Sequence, residues 1–147
     1  MAVVIVILLT VLTEILIGVF PNGAPPDESR FAPLHGHLPN LLINVVAVWF
    51  TAGFIEEMMW RGYLMNRVVD LVGSTTLAWG IALIGSAAIF GIMHFYQGPL
   101  GILRTGVAGL LLGMAYLIVG RRNLWILIIA HALIDTVSFV FLFLNVN

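Results

Sequence analysis

The chain has 147 residues, 61% of them apolar and 9% charged, with six basic residues against seven acids, a net charge of −1 and no cysteine. A soluble domain of this length would carry about a quarter charged residues, and a mean hydropathy of +1.11 excludes an ordinary soluble globule, a disordered chain and a nucleic-acid binder with a basic face. Disulfides, a cysteine nucleophile and thiolate metal sites are excluded as well, which leaves an integral all-α membrane protein, a single domain of packed transmembrane helices.

A membrane helix needs about 20 mostly apolar residues. Five stretches meet that requirement, at about 2–20, 41–72, 77–96, 101–120 and 124–144. The first lacks a basic leading segment and a small-residue cleavage site, so it reads as a retained helix rather than a signal peptide. A polar loop follows, punctuated by Pro21, Pro25, Pro26, Pro33 and Pro39. His35 and His37 flank Gly36 in that loop and read as solvated histidines. The second helix begins near Leu41 and runs past Arg61 to the turn Gly73-Ser74-Thr75-Thr76. The third covers Leu77 to Tyr96 and is ended by Gly98-Pro99. The fourth covers Gly101 to Gly120, and its Gly109 and Gly113 form a GxxxG pattern that predicts close packing within the chain. Arg121-Arg122-Asn123 caps it, and the fifth runs from Leu124 to about Leu144. Short turns make helices two to five antiparallel neighbours. Trp79 and Trp125 read as interfacial belt residues. Arg67, Arg121 and Arg122 on the side of the N-terminus outnumber Arg30 and Arg104 on the other, which places the N-terminus in the cytoplasm. The composition suits a prokaryotic plasma membrane.

An ionisable group at the bilayer centre costs at least ~2.5–3.5 kcal/mol. The apolar spans nevertheless hold Glu14, Glu56, Glu57, Arg61, His94, Arg104, His131 and Asp135. Such groups face the bundle interior, pair up and mark function. Glu57 and Arg61 stand four apart, acid before base, the favourable order for an ion pair on one helix face. Glu56 has no such partner, because position 60 is Trp60, and its carboxylate points about 100° away from that of Glu57. A buried carboxylate without a partner on its own helix points to function. His131 and Asp135 share one face of the fifth helix, where a carboxylate can set the tautomer of an imidazole. Arg104 reads as a snorkelling residue, with capture of a substrate carboxylate as its alternative use. Glu14 stands alone in the first helix.

Hairpin geometry brings three of these groups together. Glu56 and His94 are equidistant from residue 75 in the first turn, so an antiparallel hairpin sets them at one height, ~25 Å from the turn. His131 lies ~12 Å from the cap of its own hairpin, and the heights agree if the first hairpin projects ~13 Å further, with Arg67 and Asp70 in the projecting stretch. The prediction is a polar cluster of Glu56, His94 and His131 on three helices.

The ordered elements Glu56-Glu57-Met58-Met59-Trp60-Arg61, Phe90-Gly91-Ile92-Met93-His94 and His131-Ala132-Leu133-Ile134-Asp135 resemble the EExxxR, FxxxH and HxxxN or HxxxD motifs of the CPBP (Abi) intramembrane proteases, which include the type II CAAX prenyl endopeptidases. The resemblance covers residues 45 to 140. Members usually carry six to eight helices, so a chain with room for about five reads as a minimal core or as one lacking an N-terminal portion.

The resemblance implies an intramembrane endopeptidase in which Glu56 and His94 activate water and His131 stabilises the oxyanion. Asp135 would orient the His131 ring, Glu57 and Arg61 would hold the second helix and Glu56, and Phe90 would pack beneath His94. An ionised Asp135 cannot itself donate a hydrogen bond to an oxyanion. The implied substrates are peptides or prenylated proteins that enter from the lipid bilayer, with no nucleic acid involved. A zinc version would use Glu56, His94 and His131 as ligands and Glu57 as base. The pairing of Glu57 with Arg61 favours the metal-free form. Two other functions remain open on these residues: a bacteriocin-immunity or membrane scaffold protein of the same family, and a proton-coupled transporter.

Overall fold

A computed structural model describes residues 1–19, 24 and 27–144 of the chain, without the side chains of Thr13, Glu14, Leu16 and Ile17. The expectation for Glu14 therefore lies outside the described residues. The architecture is all-α, with no strand among the described residues. Helix α1 spans Ala2–Val19, and a 3₁₀ turn at Ser29–Leu34 follows. Then come α2 over Leu38–Val72, α3 over Thr76–Met93, α4 over Gly98–Ile118 and α5 over Trp125–Leu144. Helices α2 to α5 are long and apolar enough to cross a membrane, while the described apolar stretch of α1, Ala2–Leu12, is shorter.

Local chemistry explains the boundaries and where they differ from expectation. Pro39 falls in the first turn of α2 instead of preceding it. The missing N–H costs nothing there, because first-turn donors have no helical acceptor. His37 Nδ1 accepts from Asn40 N at 3.3 Å, so this exposed histidine caps α2. The side chain of Thr75 caps α3 by accepting from Ala78 N at 3.2 Å. Helix α3 stops at Met93, three residues earlier than expected, and a 3₁₀ turn at Phe95–Gln97 leads to Gly98 at φ +75°. Pro99 then starts α4 rather than merely ending α3.

Helix α2 departs most from a regular period. It is π-helical over Trp49–Glu56 and again over Met58–Leu64. Such widened turns are rare and concentrate at functional sites. Asn66 Nδ2 lies 3.0 Å from the carbonyl of Arg61 and 2.9 Å from that of Gly62, and it also reaches Tyr116 Oη on α4 at 3.0 Å.

Helices α2, α3 and α4 pack in sequence, α5 lies along α2, and α1 leans on α4 and α5. One apolar core gathers Met65, Val69, Ala82, Leu112, Tyr116, Leu127 and Ala130. A second gathers Leu34, Leu41, Val48, Ala52 and Phe139. Glu56, Glu57 and Arg61 on α2 and His131 and Asp135 on α5 fall between these two cores.

Glycine permits the tight contact of α3 with α4. A Cβ on Gly91 would stand 2.6 Å from the carbonyl oxygen of Ile102 and 2.9 Å from Gly106 Cα. One on Gly109 would meet the Phe90 ring at 2.9 Å, and one on Gly113 the Leu83 side chain at 2.5 Å. The GxxxG pattern thus serves contact within the chain, as its sequence suggested. Gly91→Ala should lower stability by about 1–3 kcal/mol, because backbone cannot yield as a side chain can. Gly80→Ala, with nothing within 4 Å of the new methyl group, should cause no loss. Thermal unfolding of the two variants in detergent checks the contrast.

Candidate active site

The anchor of the site is one oxygen. Glu57 Oε1 accepts from Arg61 Nη1 at 2.6 Å and from His131 Nδ1 at 2.7 Å. Glu57 is fully buried and Arg61 is 1% exposed. The pairing expected from their spacing forms, and it extends further. Arg61 Nη2 donates to the carbonyl of Gly109 on α4 at 2.9 Å, and its guanidinium lies 5.2 Å from the Phe90 ring centroid on α3. A guanidinium is the least strongly hydrated of the basic groups, which suits it to such a position. The cluster joins α2, α3, α4 and α5.

Phe90 is the apolar counterpart. Its ring meets His94 edge-on at 4.8 Å, His131 at 6.0 Å and Trp60 at 5.5 Å between centroids. It therefore spaces the two imidazoles as well as packing against His94. His94 closes the C-terminus of α3, with Nδ1 2.8 Å from the carbonyl oxygen of Phe90. A carbonyl can only accept, so Nδ1 carries the proton and Nε2 keeps its lone pair for other work. The same logic puts a proton on His131 Nδ1, which faces the Glu57 carboxylate.

Glu56, His94, His131 and Asp135 line one cavity of about 500 Å³. Glu56, His94 and His131 thus reach one cavity from three helices. Glu56 Oε2 is buried and makes no hydrogen bond within the protein; Glu57 Oε2 and Arg61 Nε are in the same state, but they belong to a buried ion pair, and Glu56 has no such pairing. A buried acceptor left unsatisfied costs about 1–3 kcal/mol, a cost that packing alone does not justify.

The geometry adds to three expectations about individual residues. His131 Nδ1 is held by Glu57. Asp135 Oδ2 stands 3.7 Å from Nε2, an ion-pair distance but longer than a hydrogen bond. Glu57 thus holds His131 as well as Arg61. Arg104 lines the cavity and pairs with Glu28 Oε1 at 3.5 Å. Sequence separations of 74 positions for Glu57 and His131 and of 76 for Arg104 and Glu28 hide both contacts from any local pattern. The signal within reach was the doubled acid at 56 and 57, which turns two carboxylates toward different neighbours.

The zinc alternative does not fit. Among the described residues no three His, Asp or Glu side chains come together so as to hold a metal ion, and Glu57 Oε1 already has two donors. Outside the membrane-spanning helices, the backbone N–H of Ser29 donates to Asp27 Oδ1 at 2.9 Å, and hydrogen bonding from Ser29 holds that carboxyl below the usual carboxylate range. This contact orders the segment that carries Glu28.

Four spanning helices around a buried carboxylate–imidazole cavity define an integral, multi-pass membrane protein with the groups of an acid–base centre. The family described as type II CAAX prenyl endopeptidase Rce1-like matches residues 38–137, a stretch that includes Glu56, Glu57, Arg61, Phe90, His94, His131 and Asp135, and the chain belongs to that family. No curated protein and no solved structure matches it.

Removing Glu57 should be more damaging than removing its partner along with it. Glu57→Ala strands a buried guanidinium, at a cost of about 3–5 kcal/mol. Pairing it with Arg61→Met should recover part of that loss. Melting temperatures of the two single variants and the double variant check the coupling.

Proposed function

We propose that this protein is an intramembrane endopeptidase in which Glu56 is the general base. The observation that carries the reading is the buried, unpartnered Oε2 of Glu56 in one cavity with two imidazoles whose Nδ1 atoms are held by the Phe90 carbonyl and by Glu57. Glu56 takes a proton from water, and His94 Nε2 accepts the other O–H of the same water and orients it. The hydroxide oxygen bonds to the peptide carbonyl carbon. The carbonyl π pair moves to oxygen, giving a tetrahedral oxyanion.

Charge develops on that oxygen, so a donor already in place there stabilises the transition state. His131 supplies it as the imidazolium, through Nε2–H, while Nδ1–H stays with Glu57. Asp135 Oδ2, 3.7 Å from Nε2, is the counter-charge to that imidazolium. The C–N bond then breaks, the proton held by Glu56 passes to the leaving nitrogen, and an acid and an amine result. No step needs a metal ion.

The family and the cavity together favour a prenylated CAAX-type peptide. Val6, Leu9, Leu112, Phe139 and Leu142 line the apolar parts of the cavity, and an isoprenoid chain would reach them through the lipid.

The test is cleavage of a fluorogenic farnesylated CAAX peptide by the purified protein. Glu56→Gln should lower kcat by about 10²–10⁴-fold while the melting temperature stays the same or rises, since the change replaces a half-buried acid whose enclosed oxygen has no hydrogen-bond partner. Wild-type turnover in Glu56→Gln would refute the assignment. Absence of cleavage together with Glu56-dependent proton flux in liposomes would move the site to the transporter class.

A further inference from the structure

Arg104 is a cation in the wall of the same cavity that the reaction does not use. The neighbours that could pair with it on α4 are Leu100, Gly101, Val107 and Ala108, none of them acidic. Its ion-pair partner is Glu28, which comes from a different part of the chain. That contact is loose, at 3.5 Å between side chains 31% and 41% exposed, where Arg61 holds Glu57 at 2.6 Å with both buried.

The segment carrying Glu28 is anchored on either side of it. Asp27 N donates to the carbonyl of Gln97 at 3.0 Å, and the Arg30 guanidinium stacks 4.5 Å from the Tyr96 ring centroid. The backbone is thus fastened over the end of the cavity beside His94, while the Glu28 carboxylate reaches inward to Arg104.

We infer that Arg104 is a specificity-determining residue that binds the terminal carboxylate of the peptide substrate, and that Glu28 occupies its guanidinium until substrate arrives. This rests on the protease reading above. The contact that the protein itself makes here is guanidinium to carboxylate, so the ligand that replaces Glu28 is one with the same chemistry. A guanidinium fork can grip a carboxylate through two parallel hydrogen bonds, which the single long contact to Glu28 leaves unrealised.

The cavity grades from this end inward. Arg104, Ala108 and Leu112 follow one another at four-residue steps on α4 and all line it. The wall therefore passes from cation to apolar side chain over about 12 Å. Gly91, three residues before His94, packs against Ile102 and Gly106 on α4, so His94 stands near the level of Arg104, and a terminal carboxylate held there lies beside the groups that act on water.

Two farnesylated peptides test this, identical except that one ends in a free acid and the other in a carboxamide. Wild-type protein should favour the acid by about 10- to 100-fold in kcat/KM. Arg104→Gln should bring the ratio close to one, chiefly by raising KM for the acid. Arg104→Lys should retain part of the preference. Glu28→Gln should lower KM for the acid more than for the amide.

A wild-type ratio near one, an unchanged ratio in Arg104→Gln, or equal loss of both turnovers in that variant would overturn the inference. If the wild type cleaves neither peptide, the protease reading fails by itself, and binding of dye-labelled forms of the same two peptides decides the role of Arg104. Acid-selective binding lost in Arg104→Gln would support it, and equal binding of acid and amide would refute it.

Discussion

One carboxylate oxygen with two donors organises this protein. Glu57 Oε1 accepts from a guanidinium on its own helix and an imidazole on α5. Neither charge could be held so deep without the other, since burying a lone ion costs several kcal/mol. The pair alone would still leave donors unmet, and the Gly109 carbonyl meets one of them. Because that carbonyl belongs to a glycine against Phe90, the ion pair, the α3–α4 contact and the spacing of the two imidazoles are one arrangement. Moving α4 outward would release Arg61, loosen Glu57 and free the His131 ring together.

Arg61 and Arg104 are held in the membrane helices in opposite ways. Arg61 is enclosed, held by Glu57 and Gly109, and it is a structural post. Arg104 is a third exposed, loosely tied and set in the cavity wall. Burial and the quality of the partner separate scaffold from working surface more cleanly than charge or depth does.

Local patterns in the sequence carry much of this and stop at a definable point. Apolar runs mark α2 to α5 because lipid forces their composition. The i, i+4 step from Glu57 to Arg61 and the equal distances of Glu56 and His94 from one turn follow from helical geometry. Contacts between distant segments, such as Glu57 with His131 and Glu28 with Arg104, depend on helix rotation, which a mean hydropathy does not encode. The contact of Glu57 with His131 escaped the sequence for that reason: the i+4 neighbour Asp135 was visible and a carboxylate on another helix was not. Ends of α3 and α4 shifted because proline and glycine shape the first turn of one helix as readily as the end of another. Widened turns in α2 leave no compositional trace at all.

Those widened turns have a consequence for how α2 tolerates change. Regular helix lies on both sides of residues 49–64, but each widened turn takes in extra backbone and rotates everything beyond it. The buried faces of Leu38–Val48 and of Met65–Val72 are therefore out of phase with a single 3.6-residue wheel. A substitution map of α2 would resolve into two periodic patterns with a slip between them, and the slip would fall on the residues that carry Glu56 and Glu57.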